Sequence, residues 1–207
     1  MLSIVLPSYN ESKNIQNAYI EIKEVLSEAK IPFELVYVND GSKDDTWTKI
    51  EEIIEKGKAE LKQSRIRGVS FSRNFGKEAA ILAGLANATG EACVVMDCDM
   101  QHPPETLVEM YRLWQEGYEV VEGVKRTRGK ESLVYKSSAK LFYRLMTKAT
   151  GIDMSRASDF KLMDRKVVKS ILSMPERNMF FRGLSSWVGF KKTEVEFDVR
   201  EREFGTS

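Results

Sequence analysis

Val94-Val95-Met96-Asp97-Cys98-Asp99-Met100-Gln101 is an apolar run that stops at two carboxylates one residue apart. With Gly90 before it and Pro103-Pro104 after it, the stretch reads as a buried parallel strand whose carboxyl end opens into a loop. Ligands of open α/β sheets sit at that end of the strands. Two aspartates at i and i+2 leave an extended chain on the same side, so Asp97 and Asp99 can converge on one cation. With the Gln101 carbonyl they offer oxygen donors only, a set that suits Mg²⁺ or Mn²⁺ better than zinc and leaves positions for substrate phosphates. The plainer alternative is that the pair ends a strand and caps the next helix. The strand before it and the proline-led helix start after it weigh against that.

Upstream, strand and helix signals alternate. Ser3 to Leu6 reads as a first strand, leaving through Pro7-Ser8-Tyr9-Asn10-Glu11, after which Ile15, Tyr19, Ile22, Leu26 and Ala29 recur at helical spacing. Phe33 to Val38 is a second strand, exiting into the turn Asn39-Asp40-Gly41-Ser42 and a helix that carries Trp47, Ile50, Ile53 and Ile54. Ile66 to Phe71 is a third, exiting into Ser72-Arg73-Asn74-Phe75-Gly76-Lys77 and a helix over Glu78 to Asn87. The pattern is that of a doubly wound, mostly parallel α/β sheet. No G-x-G-x-x-G follows the first strand, and Gly68 and Gly76 do not fit a Walker loop. A nucleotide would therefore be held by a metal and by side chains from several strand exits.

Downstream, Pro104 and Glu105 suit a helix start, with Leu107, Met110, Tyr111 and Trp114 as its packing face. A strand over Glu119 to Val124 leads to a cationic loop with Lys125, Arg126, Arg128 and Lys130. From about Leu133 to Thr150 a helix is expected whose Lys136, Lys140, Arg144 and Lys148 form one stripe, suited equally to an anionic membrane surface and to plain solvent. Asp159 stands at the start of another apolar run, and Asp164-Arg165 opens a helix. Met179 to Phe181 and Trp187 to Phe190 form an aromatic cluster beside cations, which reads first as core and second as a membrane or subunit interface. Lys192 to Arg200 alternates as an edge strand.

The 207 residues suit a single domain, 1–207, with a sizeable core. A net charge of +1 supplies no global field for nucleic acid. Cys93 and Cys98, on one strand and its exit, read as reduced core residues. His102 is the sole histidine, which excludes Ser-His-Asp and Cys-His catalysis unless it serves itself, and its setting beside Pro103 places it at the rim of the cation site or nowhere of note. No apolar run approaches the ~20 residues that span a bilayer.

Taken together, Leu6-Pro7-Ser8-Tyr9-Asn10-Glu11, Val38-Asn39-Asp40-Gly41-Ser42, Ser72-Arg73-Asn74-Phe75-Gly76-Lys77, Asp97-Cys98-Asp99-Met100-Gln101, Ser158-Asp159-Phe160 and Arg202-Glu203-Phe204-Gly205-Thr206-Ser207 occur in an order that resembles the inverting family 2 glycosyltransferases of A-type fold. Within them the order looks most like the polyprenyl-phosphate branch, with the bactoprenol glucosyl transferases and relatives of dolichyl-phosphate mannose synthase. The resemblance implies transfer of a sugar from a nucleotide-sugar, UDP-linked by the look of the Ser72 to Lys77 segment, to a polyprenyl phosphate at the cytoplasmic face of the membrane. It implies that Pro7, Tyr9, Glu11 and Asp40 hold the nucleoside, with Arg73 and Lys77 near it or its phosphates and Asp97 also on the nucleotide. It gives Asp97, Asp99 and Gln101 to Mg²⁺ or Mn²⁺, Arg126, Arg128 and Arg202 to the acceptor phosphate, and Asp159 to the reacting centre. Asn39 stands where an aspartate is common. Members of the branch carry membrane-spanning helices after the Gly-x-Ser motif, so the chain is expected to stop short of them. A hydroxyl acceptor, soluble or polysaccharide, and a noncatalytic nucleotide-binding module are the competing expectations.

Overall fold

Strands come where β-branched and other apolar runs favour extended chain, and among the described residues they form one seven-stranded sheet in the order β3-β2-β1-β4-β6-β5-β7. The computed structural model describes residues 1–126, 158–174, 181 and 189–201. Among these the chain runs β1 (Leu2–Ser8), α1 (Ser12–Glu28), β2 (Phe33–Asn39), α2 (Thr46–Glu60), β3 (Arg65–Ser70), α3 (Lys77–Asn87) and β4 (Ala92–Val95). It continues with α4 (Glu105–Gln115), β5 (Val120–Lys125), β6 (Lys161–Asp164), α5 (Arg165–Leu172) and β7 (Lys192–Phe197). The expected α/β class, the helix beginning after Asp164 and the edge strand at Lys192 are all borne out. The basic helix expected at 133–150, with Lys136, Lys140, Arg144 and Lys148, lies outside the described residues, as do Arg128, Arg202, Met179, Phe180 and Trp187.

Alternating side chains on the strands feed two cores, one on each face of the sheet. Ile4, Leu6, Leu35, Tyr37 and Val94 pack with Ile15, Tyr19, Ile22, Ile50, Leu107 and Met110 beneath α1, α2 and α4. Val5, Val36, Val38, Cys93 and Val95 pack with Ile81, Leu85, Val167 and Ile171 beneath α3 and α5. Phe181 and Phe190, from the predicted aromatic cluster, join the second core. Truncating a fully buried member such as Ile22 to alanine would cost about 2–5 kcal/mol. Cys93 and Cys98 are free and buried, as expected.

β1 pairs in parallel with β2 and β4, and β2 with β3. One strand runs the other way. β6 lies antiparallel between β4 and β5, with Val95 opposite Lys161, and β7 closes the edge parallel to β5. The reversal matters because it brings the amino end of β6, with Asp159 just before it, to the carboxyl ends of the parallel strands. Asp97 and Asp159 each lie two residues beyond the Val95–Lys161 pair, where the ladder ends.

Candidate active site

Strand pairing in β4 stops at Val95, and Met100 takes φ +57°, so the chain turns at Cys98 and Asp99, directly after Asp97. This corrects the sequence expectation of two carboxylates leaving an extended strand side by side. Cys98 Sγ, 3.1 Å from Ser8 Oγ, anchors the turn to the exit of β1. Asp97 is one-third exposed, whereas Asp99 is nearly buried and accepts the Gln101 N–H at 3.1 Å. Both line one cleft of about 320 Å³, together with Pro7, Tyr9, Glu11, Asp40 and Lys77. Ser8, Asn74, Gly76, Ala80 and Cys98 complete its walls.

The loops that shape this cleft are cross-braced. The Asn10 N–H donates to Ser42 Oγ at 3.0 Å, the Lys43 N–H to Asn10 Oδ1 at 2.9 Å, and the Glu11 N–H to Thr46 Oγ1 at 2.9 Å. Glu11 begins α1 with its carbonyl and also accepts from the Asn14 amide side chain. Asp40 does not simply point into open space. Its two oxygens accept the N–H groups of Phe75 (2.7 Å) and Gly76 (2.9 Å), which ties the exit of β2 to the start of α3. Gly41, at φ +63°, lets that approach happen, since a Cβ there would stand 2.2 Å from the Arg73 carbonyl carbon. Gly84 likewise lets α3 lie directly on Val5, with a Cβ meeting Val5 Cγ1 at 2.2 Å. Together these fix where Lys77, the first residue of α3, emerges.

Lys77 Nζ reaches 2.7 and 2.9 Å from the Asp97 oxygens and 3.2 Å from Asp159 Oδ2. Burial works against its charge, but the carboxylates of Asp97 and Asp159 outweigh it and hold its pKa above the ordinary lysine value. The His102 ring stacks on Phe160 at 4.5 Å and meets the edge of Phe197 at 5.3 Å. Burial pushes the His102 pKa down despite the pull of Asp97 and Asp99. His102 is buried against Phe160 and Phe197, close in sequence to the two carboxylates.

Other expected residues stand apart from the cleft. Arg73 is exposed, its guanidinium 4.7 Å over the Phe75 ring. The Gln101 carbonyl accepts the Arg200 N–H at 3.1 Å. Arg126 lies 3.5 Å from Glu196 and 3.2 Å from Asp198 on the β7 side. Sequence reasoning also passed over Arg200, whose guanidinium binds Glu21 and Glu105 at 2.7 Å each and pins the segment after β7 to α1 and α4. It missed the contact of Lys77 with Asp159 as well, because nothing in the spacing marks β6 as reversed.

The donor chemistry fits a hard cation. The described residues hold no group of three or more His, Cys, Asp or Glu that could cage a metal by themselves. Asp97 and Asp99 are oxygen donors at the mouth of a cleft, and one or two carboxylates plus substrate phosphates and water is how Mg²⁺ is ordinarily held.

A model for glycosyl transferase family 2 matches residues 3–172. The chain belongs to that family. The chain is 47% identical over 204 residues to the uncharacterized glycosyltransferase YkcC of Bacillus subtilis, covering 98% of this chain and 61% of that protein. It is 36% identical over 205 residues to the prophage bactoprenol glucosyl transferase homolog of Escherichia coli, covering 99% and 65%. The chain thus spans about three-fifths of the length of these curated relatives. Among solved structures it superposes on glucosyl-3-phosphoglycerate synthase from Mycobacterium tuberculosis, in complex with Mn²⁺, uridine diphosphate and phosphoglyceric acid, with TM-score 0.64 and 20% identity over 100% of this chain and 72% of that one. The A-type glycosyltransferase fold read from the sequence is borne out. No helix among the described residues is long and apolar enough to cross a membrane.

Proposed function

We propose that this family 2 domain transfers a sugar, with inversion, from a UDP-linked donor to a polyprenyl phosphate at the cytoplasmic face of a membrane. The observation that carries the reading is the meeting of Asp97 and Asp159 on one ammonium inside a cleft walled by the exits of β1, β2, β3 and β4. The bactoprenol relatives supply the acceptor class.

In this reading Pro7, Tyr9, Glu11 and Asp40 embrace the nucleoside, with Asp40 acting through the loop it braces as well as by contact. Asp97 and Asp99, with Gln101 beside them, would hold Mg²⁺ or Mn²⁺. Such an ion stabilises negative charge as it develops on a departing diphosphate. Lys77 adds a positive charge on the same side, and Arg73 joins it by swinging off the Phe75 ring. An acceptor phosphate oxygen forms the bond to the anomeric carbon while the bond to the diphosphate breaks, and that electron pair leaves with the diphosphate. The acceptor phosphate has its second pKa near ~6 and is largely dianionic at neutral pH, so it needs orienting more than deprotonating. Asp159 orients the acceptor or the sugar, the phosphate through the Lys77 ammonium 3.2 Å away or the sugar by accepting from a hydroxyl. Arg126, Arg128 and Arg202 grip the acceptor phosphate, Arg126 by leaving Glu196 and Asp198. A hydroxyl acceptor would instead demand that Asp159 remove a proton.

The test is direct. UDP-[¹⁴C]glucose and other labelled nucleotide-sugars are incubated with this domain and a short polyprenyl phosphate in detergent, with Mn²⁺ or with chelator. The expected result is label extracted into organic solvent only with metal, and not by Asp97→Asn. Label that remains aqueous, or that moves onto a soluble sugar hydroxyl, contradicts the proposal.

A further inference from the structure

Lys77 touches both carboxylates around which the proposed chemistry turns. Its ammonium faces the two oxygens of Asp97 at 2.7 and 2.9 Å and Asp159 Oδ2 at 3.2 Å. A divalent cation approaching Asp97 alone therefore meets a like charge already in place. The base of this lysine is fixed by the Asp40 bonds to Phe75 and Gly76 and by the seating of Gly84 on Val5. Its head is not fixed, because four methylene groups separate it from the backbone and the side chain is about two-fifths exposed. A nucleotide diphosphate entering the cleft brings the negative charge to which such an ammonium can turn.

We infer that Lys77 is a resident counter-ion, which holds Asp97 and Asp159 face to face before the donor arrives and yields Asp97 to a divalent cation only when a diphosphate accompanies it. The inference rests on the reading of Asp97 as a metal ligand and extends it to the order of binding. Metal and nucleotide then bind as a strongly coupled pair, and the coupling resides in one side chain. Lys77 also positions Asp159, because releasing Asp97 leaves the ammonium free to lie between Asp159 and the incoming phosphates.

The experiment titrates Mn²⁺ into this domain while the free-ion electron paramagnetic resonance signal is followed, with and without UDP. Wild type, Lys77→Met and Lys77→Arg are compared. Wild type should bind Mn²⁺ weakly alone and about 10-fold or more tighter with UDP, a typical size for coupled sites. Lys77→Met should bind Mn²⁺ alone about 10-fold tighter than wild type and show a smaller gain from UDP, whereas Lys77→Arg should keep the wild-type pattern. Equal or weaker Mn²⁺ binding by Lys77→Met, with the wild-type UDP gain intact, overturns the role of Lys77 and leaves the metal reading standing. No gain from UDP in wild type overturns both. Lys77→Gln repeats the neutral substitution with a shorter stem, so the conclusion does not hang on one variant's folding.

Discussion

The two ends of the parallel sheet treat buried acid in opposite ways. At the amino end Glu34 is fully enclosed, and its oxygens accept from Ser3 Oγ (2.7 Å), the Thr89 N–H (2.7 Å) and Arg65 Nε (2.8 Å), with Arg67 Nε at 3.2 Å. At the carboxyl end Asp97 is one-third exposed and, among the described residues, leans on the flexible side chain of Lys77. The first arrangement spends its hydrogen-bonding capacity on closing the fold, whereas the second leaves a carboxylate facing a cleft. The difference separates an acid that stabilises the protein from one that can bind a ligand.

The largest expected effect tests the open end. Asp97→Asn should lower transfer by about 10²–10³-fold, the size seen when one preorganised charge-stabilising group is lost, while the melting temperature stays within a few degrees of wild type. A fall in melting temperature with little loss of turnover would erase the contrast. Glu34→Gln should do the reverse. It should destabilise the fold by about 2 kcal/mol, less than a fully buried pair because Arg65 and Arg67 are partly solvated, and leave the donor KM unchanged. Chemical denaturation of the two variants side by side measures this.

A pH series sharpens the same contrast. Burial alone would raise the Glu34 pKa, but hydrogen bonds from Thr89 and Ser3 and the charge of Arg65 outweigh it, so the folded value is depressed. The unfolded chain then binds the proton more readily. Stability from Glu34 is present above the ordinary glutamate pKa of about 4.3 and is lost as pH falls through the folded value. Glu34→Gln should flatten that acid limb in denaturation curves collected between neutral pH and acid.

A smaller effect is expected at His102. His102→Phe keeps a flat ring against Phe160 and Phe197, so kcat should stay within about 3-fold of wild type, whereas His102→Ala should lower it about 10-fold, close to 1.4 kcal/mol, with the donor KM little changed. Equal losses in both variants would mean that the imidazole itself, and not its stacking, is needed.

Legibility in the sequence followed the same division. The parallel strands β1, β2 and β4 announce themselves as continuous apolar runs, because strands buried on both faces leave no polar alternation to confuse with a helix. Their exits, with that of β3, and hence Pro7, Tyr9, Glu11, Asp40, Lys77, Asp97 and Asp99, fall at one end of the sheet on the strand pattern alone. β6 could not be read in this way. It has four residues and carries a buried lysine, Lys161, paired with Glu122 at 3.1 Å across the sheet, a contact that no local pattern signals. Asp159 was therefore visible as an acid before an apolar run, but not as the partner of Asp97. The turn before Met100 and the pair of hydrogen bonds that Asp40 accepts from the loop before α3 were equally hidden, the first set by backbone geometry and the second joining segments far apart in the chain.

The central claim is that the turn after β4 presents Asp97 and Asp99 to a cation which takes the diphosphate's charge. A crystal structure of this domain soaked with UDP and Mn²⁺ tests it most directly. The account predicts manganese density bridging the diphosphate and the Asp97–Asp99 turn, with the uridine against Pro7, Tyr9 and Asp40 and the Lys77 ammonium moved off Asp97. Manganese or nucleotide lodged elsewhere, with Asp97 still closed on Lys77, would contradict it.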